Sequence, residues 1–243
     1  MLFITMIFDG ILVLKMVLFI DQLDIWLMTL GVTMFVSAFT VYVNTVRTVK
    51  ADLAKVSPVR TMMAPTGGNA PDVQAEMQEK VNEINRMLSP FYIFIGVYAL
   101  VSGLWASFTW PLPGPYNIVF SDAWPIFGLA SLMVGLASYA RMDLKYVTIP
   151  LALLGIIVAV YGADIGSFGL TLEPAAAVAL YLSIAIALWF SPIAFNFRGS
   201  VGRVAGMLSL IFLVTAGILA FYIGGAAAFE HTAGWAKWVP FYG

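Results

Sequence analysis

The fold is decided by the run V-G-R-V-A-G-M-L-S-L-I-F-L-V-T-A-G-I-L-A-F-Y-I-G-G-A-A-A at residues 201–228. Arg203 is the one charged residue in this run, and it stands near the beginning. About 20 consecutive apolar residues are enough for a helix to cross the roughly 30 Å hydrocarbon core of a bilayer. The run therefore predicts a transmembrane helix.

Five further apolar runs precede this one, each near or above the length that a membrane helix needs. They lie at 24–46, 90–110, 124–141, 146–163 and 174–195. The chain is therefore predicted to be all-α, a polytopic transmembrane helical bundle of about six spans. Residues 24–228 are expected to form one membrane domain.

The composition excludes several classes of protein. The chain is 61% hydrophobic and 10% charged, whereas soluble domains are roughly 45–50% apolar and about 25% charged. A net charge of −1 without a basic stripe argues against a nucleic-acid partner. With no cysteine and one histidine, the chain cannot supply thiolates for an iron–sulfur cluster or two histidines for a haem. No cofactor is identifiable, and bound membrane lipids are expected.

Residues 1–23 are predicted to be an N-terminal interfacial helix or an extension. The stretch from Met1 to Ile20 is apolar but is interrupted by Asp9 and Lys15. A signal peptide is an alternative, although the stretch has no basic n-region and no small-residue cleavage site. A biological start at Met16 is the other alternative.

Proline pairs mark several predicted helix ends. Ser89-Pro90 and Glu173-Pro174 each place a capping-type residue before a proline, which favours the first position of a helix. They predict the starts of the second and fifth spans. Ser191-Pro192 is predicted to close the fifth span.

The lysines and arginines predict the orientation of the bundle. With six spans, Lys15 and Lys237 fall on one side of the membrane and the other ten basic residues on the opposite side. These ten are Arg47, Lys50, Lys55, Arg60, Lys80, Arg86, Arg141, Lys145, Arg198 and Arg203. Because basic residues concentrate on the cytoplasmic side, we expect a multi-pass protein of the cell membrane with both termini non-cytoplasmic.

The one sizeable polar segment is the predicted cytoplasmic loop 47–89. After a P-T-G-G-N hinge at 65–69, apolar residues recur every three or four positions and predict an amphipathic helix. These residues are Val73, Met77, Val81, Ile84 and Leu88. The helix is interpreted as a connector on the membrane surface or, alternatively, as a docking helix for a cytoplasmic partner.

Small residues recur at four-residue spacing in the last two predicted spans. They are Ala179, Ser183 and Ala187, followed by Ala216, Ala220, Gly224 and Ala228. Such stripes allow helix backbones to approach closely in lipid. They indicate internal packing or, alternatively, contact with other membrane subunits or with a second copy of the chain.

Acidic and aromatic residues crowd the predicted outer side. We interpret the aromatics as an interfacial belt; they include Trp105, Trp110, Tyr116, Phe120, Trp124 and those of the C-terminal tail at 229–243. Four residues are weak candidates for a hard-metal or zinc-like site, or for an enzyme acting on lipid: Asp122, Asp164, Glu173 and His231. Their spacing enforces no ligand geometry.

The functional hypotheses follow from what the spans contain. No predicted span has an ionisable residue near its centre, where one would indicate an ion path, and no catalytic motif is recognisable. The leading hypothesis is a non-catalytic accessory or structural subunit of a larger membrane complex. The alternative is a channel or carrier for a small cation or neutral solute, with an acidic outer vestibule. Its path would use the polar groups at depth, namely Thr33, Tyr98, Ser102, Tyr181, Ser183 and Thr215.

Two segments resemble a known family. They are G-L-W-A-S-F-T-W-P-L-P-G-P-Y-N-I-V-F-S-D at 103–122 and F-G-L-A-S-L-M-V-G-L-A at 127–137. Both are similar to an uncharacterised, largely archaeal family of multi-span membrane proteins, domain of unknown function 981. The start M-V-L-F-I-D-Q-L at 16–23 resembles the usual N-terminus of that family. The resemblance covers 16–195 and implies a multi-span fold, but no activity, cofactor or catalytic residue.

Overall fold

The computed structural model describes residues 22–47, 73–112, 114–197 and 199–234. This part of the chain forms α1 (Gln22–Val41, continued by a π-helical segment Tyr42–Arg47), α2 (Val73–Thr109), α3 (Ala123–Tyr139, preceded by a π-helical segment Asn117–Ser121), α4 (Lys145–Phe168), α5 (Pro174–Asn196) and α6 (Gly199–Gly234). Six helices are long and apolar enough to cross a membrane, consistent with a multi-pass membrane protein. The segment before Gln22, the hinge at 65–69 and the aromatics of the tail lie outside the described residues.

The helices close into a ring made of two tightly packed units. In the first unit α1 packs along α6, α6 along α5, and α5 along α4. In the second unit α2 packs along α3. The two units meet at the α1–α2 and α3–α4 seams, which are much less extensive. The ring therefore has a loosely filled interior.

The two ends of the bundle carry opposite charge. Asp24 and Glu173 lie at one end, called the acidic end below, whereas Arg141 and Lys145 lie at the other, the basic end. Asp24 Oδ2 lies 3.0 Å from His231 Nδ1, which joins the beginning of α1 to the last turn of α6. The described chain thus begins and ends at the acidic end, as an even number of spans requires.

Glycines set the crossing of α2 and α3. Gly96 and Gly103 in α2, and Gly128 and Gly135 in α3, are buried between the two helices. A methyl group on Gly128 would lie 2.6 Å from the backbone nitrogen of Leu100 and 2.9 Å from the carbonyl oxygen of Gly96. Because small residues let backbones pack at this separation in lipid, α2 and α3 form one unit.

Two of the helix ends predicted from proline pairs are wrong. α2 continues through Ser89-Pro90, and α5 continues through Ser191-Pro192 as far as Asn196. Proline lacks the N–H that would bond to the carbonyl four residues earlier. In both pairs the serine hydroxyl donates to that carbonyl instead, to Arg86 O at 2.7 Å and to Leu188 O at 2.7 Å. The freed carbonyl is satisfied, so each helix tolerates its proline.

The prediction for Glu173-Pro174 is confirmed, since α5 begins at Pro174. The amphipathic segment after the hinge is helical from Val73, and it is continuous with the second span as the first part of α2. α2 has 37 residues, about 55 Å at roughly 1.5 Å per residue. That length exceeds the bilayer core of about 30 Å, so the segment 73–89 forms an arm at the basic end.

The small-residue stripes pack helices of this chain against each other. Ala216, Ala220 and Gly224 are buried, and a methyl group on Gly224 would lie 2.8 Å from Leu27 Cβ in α1. In α5, Ser183 and Ala187 are buried whereas Ala179 is exposed. The carbonyl of Ala187 accepts a hydrogen bond from Ser209 Oγ of α6 at 3.0 Å. These contacts correspond to the internal-packing alternative.

Candidate functional site

An elongated cavity of about 170 Å³ lies inside the ring. All six helices contribute to its wall: α1 from Leu23 to Val41, α5 from Leu180 to Phe195, and α2 only through Tyr92. The stretch of α1 is about 27 Å long at roughly 1.5 Å per residue. The cavity is therefore long and narrow, and it spans most of the thickness of a bilayer core.

Aromatic rings line the half of the cavity nearest the acidic end. Trp26 of α1 stacks on Trp124 of α3 with ring centroids 5.3 Å apart, and Trp124 stacks on Phe127 at 4.8 Å. The indole nitrogen of Trp124 donates to Ser102 Oγ at 3.0 Å. The stack couples the two helix units across the interior and supplies a flat, apolar wall.

The interfacial-belt interpretation is wrong for Trp124 and Phe120, which are only 4% and 7% exposed. Both aromatic side chains point into the centre of the helix bundle and line its apolar cavity. Trp105 and Trp110 are about half exposed, as the belt interpretation expects.

Asn117 organises the connection between α2 and α3. It is fully buried, and its Oδ1 accepts hydrogen bonds from the N–H of Leu112 and the hydroxyl of Ser121, both at 3.2 Å. Its Nδ2 donates to the carbonyl of Ala106 at 3.5 Å. One amide therefore ties the end of α2 to the π-helical segment that begins at Asn117.

The same π-helical segment forms part of the cavity wall. The carbonyl of Val119 accepts a hydrogen bond from the hydroxyl of Tyr181 in α5. The ring of Phe120 meets the edge of Tyr181 with centroids 6.2 Å apart. π-Helical turns are often found at functional sites, and here one connects the α2–α3 unit to the opposite wall of the cavity.

Hydroxyl groups line the half of the cavity nearest the basic end. They come from five helices: Thr40, Tyr92, Thr148, Ser191 and Ser209. Most donate to backbone carbonyls of their own or a neighbouring helix. The wall here is mildly polar, and the aromatic half adds the hydroxyl of Tyr181 and the buried indole N–H of Trp26.

Side-chain hydrogen bonds close the loose α1–α2 seam near the basic end. Asn44 and Asn85 form a reciprocal amide pair with both N···O distances at 3.0 Å. The hydroxyl of Tyr92 lies 2.9 Å from Thr40 Oγ1 and donates to Ser37 Oγ at 3.3 Å. Polar contacts of this kind hold helices together where apolar packing is sparse.

The four residues suggested for a metal or lipid-hydrolysing site do not converge. His231 pairs with Asp24, Asp122 accepts from Ser107 Oγ at 2.8 Å, and Glu173 accepts from Tyr222 at 3.2 Å. Within the described ranges, no three His, Cys, Asp or Glu side chains are grouped so as to hold a metal ion. Three of the four, His231, Asp122 and Glu173, therefore make contacts between elements of the bundle.

The hydroxyls suggested for a transport path are dispersed. Thr33 and Tyr181 line the cavity, but the hydroxyl of Thr33 donates to the carbonyl of Thr29 at 2.9 Å. Ser102 and Tyr98 contact Trp124 from outside the wall. They do not form a continuous polar lining.

Sequence reasoning missed the buried amides, the Trp26–Trp124 stack and the glycine crossing of α2 and α3. The glycines had a signal, because each helix carries a pair seven residues apart, at 96 and 103 and at 128 and 135. The amides had none, since an asparagine in a loop or helix end is usually exposed.

A family profile described as "Protein of unknown function (DUF981)" matches residues 16–234. The match begins where the resemblance placed the N-terminus of the family, and it includes α6 as well. No curated protein and no solved structure matches the chain.

Proposed function

Because the chain belongs to the DUF981 family, whose description supplies no activity, we propose a function from the cavity: this protein binds an apolar molecule inside the membrane, in a non-catalytic role. The observation that carries the proposal is the long cavity itself, lined by residues of all six helices and walled mainly by aliphatic and aromatic side chains. This is the neutral-solute form of the carrier hypothesis, with a lipid-like solute.

The character of the wall favours an apolar occupant over a cation. Across the described chain, the cavity wall contains no charged side chain. Apolar cavities of about 150 Å³ stay dry and bind apolar molecules, and conduction of a cation needs carbonyls or carboxylates that replace its hydration shell. An apolar molecule that fills an otherwise empty space gains dispersion contacts with the wall.

We infer that the occupant reaches the cavity sideways from the lipid. The α1–α2 seam supports this route, because it is sparsely packed and α2 contributes only Tyr92 to the wall. Opening it requires breaking side-chain hydrogen bonds, each worth only about 1 kcal/mol. The excess of Lys and Arg at the basic end supports a cytoplasmic orientation for that end.

Ala130→Phe is expected to empty the cavity. Ala130 lies on the wall contributed by α3, so a benzyl group there would occupy the narrow space that the ligand needs. We expect native mass spectrometry in mild detergent to show a co-purifying apolar molecule on the wild type, and at least about tenfold lower occupancy on the variant, equivalent to about 1.4 kcal/mol.

The matched control is Leu129→Phe. Leu129 is the neighbouring residue of the same helix and is 44% exposed on the outer surface of the bundle, so the same ring added there should leave occupancy unchanged. If Ala130→Phe kept the same occupancy as Leu129→Phe and the wild type, the cavity would be excluded as the binding site.

A second candidate function, the accessory subunit, is supported by the arm of α2. From Val73 this helix extends beyond the length that a bilayer core requires. Its outward face is charged and exposed, at Glu76, Glu79, Lys80, Glu83 and Arg86. A rigid charged helix outside the lipid suits electrostatic recognition of a partner subunit.

The subunit proposal is tested with Glu79→Lys combined with Glu83→Lys. If the arm docks a partner, a protein that co-purifies stoichiometrically with the wild type should be lost from this variant. Glu230→Lys, an exposed glutamate at the acidic end, should retain it. Elution of the wild type alone, or retention of the partner by all three proteins, contradicts docking through the arm.

A further inference from the structure

The α2–α3 unit is anchored on the side of α4 and α5. At the basic end a short turn, residues 140–144, joins α3 directly to α4. At the acidic end the carbonyl of Val119 accepts a hydrogen bond from the hydroxyl of Tyr181 in α5. The hydroxyl of Tyr116 accepts another from the N–H of Leu172, between α4 and α5, at 2.8 Å. The unit is therefore held near both of its ends on this side.

The opposite edge of the unit meets α1 through a few side chains. Asn85 forms its reciprocal amide pair with Asn44 at 3.0 Å, and the hydroxyl of Tyr92 lies 2.9 Å from Thr40 Oγ1. Of the described residues of α2, Tyr92 is the one that lines the cavity, and it is 2% exposed. Its side chain therefore closes the wall at this edge.

α1 is the fixed side of this edge. It packs along α6 over its length. A methyl group on Gly206 of α6 would lie 2.3 Å from Thr45 Oγ1, and one on Gly224 would lie 2.8 Å from Leu27 Cβ. Because α1 is close to α6 at both ends, a separation of α1 from α2 requires the α2–α3 unit to move.

The α2–α3 unit moves as one body because its two helices are in close contact. A methyl group on Gly135 of α3 would lie 2.8 Å from Ile93 Cγ1 and 2.9 Å from Ile93 N. Backbones packed this closely cannot slide without a clash. A displacement of α2 from α1 therefore carries α3 with it, separates Trp124 from Trp26 and opens the cavity toward the lipid.

The arm, residues 73–89, is a continuous extension of this body. Ser89 donates to the carbonyl that Pro90 frees, at 2.7 Å, and the helix continues without a break. Asn85 belongs to the arm, and Tyr92 lies seven residues further on, about two turns along the same face. Moving the arm away from α1 therefore breaks both contacts, whereas holding it there keeps both.

Resting on the proposed function of the cavity, we propose that the α2–α3 unit is a lateral gate whose state is set by the position of the arm. The gate turns about its attachments to α4 and α5 and opens at its edge on α1. With the gate closed, Tyr92 completes the wall; with it open, the cavity is continuous with the lipid. A protein that holds or displaces the arm outside the lipid controls exchange of the occupant without contacting the cavity.

The probe is dodecyl bromide, an apolar molecule whose bromine quenches tryptophan fluorescence on contact. It is added to the full-length protein in phosphatidylcholine nanodiscs, and quenching is followed over time. Trp105 and Trp110 are about half exposed and should be quenched fast, whereas Trp26 and Trp124 are 2% and 4% exposed and should give a slow phase. Ala130→Phe should abolish the slow phase, which identifies it as entry into the cavity.

Asn44→Cys combined with Asn85→Cys tests the gate in both directions. The chain has no cysteine of its own, so a short bifunctional thiosulfonate reagent bridges these two positions alone. Without the bridge the amide pair is missing, and the slow phase should be about fivefold faster than in the wild type, equivalent to about 1 kcal/mol. With the bridge it should be at least about tenfold slower than in the wild type. Reduction of the bridge should restore the fast rate in the same protein, which excludes a folding defect.

The matched control is Glu79→Cys combined with Glu83→Cys. These exposed positions lie one turn apart on the arm, so the same reagent bridges them within one helix and should leave the slow phase unchanged. Tyr92→Phe keeps the ring but removes the hydroxyl that contacts Thr40 and Ser37. It should speed entry several-fold without any bridge.

The outcomes separate this inference from the proposed function. A slow phase that Ala130→Phe abolishes, but that the bridge between positions 44 and 85 leaves unchanged, overturns the gate and leaves the apolar site standing; entry through the α3–α4 seam would give this result. Equal slowing by both bridges is an effect of the reagent and also overturns the gate. No slow phase in the wild type, or one that Ala130→Phe leaves intact, overturns both the inference and the proposed function.

Discussion

Gly128→Ala is expected to destabilise the protein by about 1–3 kcal/mol, the usual cost of overpacking. The added methyl would lie 2.6 Å from Leu100 N and 2.9 Å from Gly96 O. Both are backbone atoms of a helix, so neither can turn away as a side-chain end could. α2 and α3 would have to separate, which also weakens their seams with α1 and α4. In a chain of this size the apparent Tm should fall by roughly 3–10 °C.

Gly225→Ala makes the same chemical change in α6 as the control. A methyl group at Gly225 would meet no atom within 4 Å. Alanine has a higher helix propensity than glycine by up to about 1 kcal/mol, so this variant should be as stable as the wild type or slightly more so. Tryptophan fluorescence during heating measures both, because the Trp26–Trp124 stack reports on the meeting of the two helix units. An unchanged Tm for Gly128→Ala would contradict the close crossing.

Asn117→Ala is expected to cause the second large effect. The substitution leaves the N–H of Leu112 and the hydroxyl of Ser121 without their buried partner, whereas the carbonyl of Ala106 still accepts from the N–H of Trp110 at 2.9 Å. Each buried polar group left unsatisfied costs about 1–3 kcal/mol, so the loss of two such partners is expected to cost about 2 kcal/mol or more. The π-helical turn should relax, and Phe120 with it, so occupancy of the cavity should fall as well.

Asn196→Ala is the control for this prediction. Asn196 is exposed at the end of α5 and donates to one carbonyl, that of Pro192, at 2.9 Å. A surface change of this kind usually alters stability by no more than about 0.5 kcal/mol. The same heating experiment, with native mass spectrometry of the bound molecule, compares the two variants. If both lose equally little stability, Asn117 does not organise the α2–α3 connection.

The number of spans and the all-α fold class were predictable because both depend on the lipid bilayer that surrounds the chain. Residues 201–228 are apolar over more than the length of a bilayer core, and a helix satisfies every backbone group within that run. The start of α5 at Pro174 was predictable for a local reason as well, since proline suits the first turn. The lipid environment and the chain together determine these features without any tertiary contact.

The two wrong helix ends have one cause, since a serine side chain takes over the hydrogen bond that each proline cannot make. Pro90 and Pro192 read as helix ends, but Ser89 and Ser191 satisfy the carbonyls that the prolines free. Because the helix continues through Pro90, the amphipathic segment after the hinge is part of α2 and forms the arm. A serine directly before a proline was present in the sequence, yet its hydroxyl's direction depends on the completed helix.

The sequence by itself determined that the chain forms apolar membrane-length helices, because hydrophobic length and backbone satisfaction are properties of each segment alone. Only the tertiary structure decided that Trp124 faces inward, that Gly128 meets Gly96, and that hydroxyls from five helices gather at one end of a shared cavity. Those features depend on which helices are neighbours and how each is rotated, and in lipid an inward and an outward apolar face have the same composition. The cavity is a property of the ring, and no single helix specifies it.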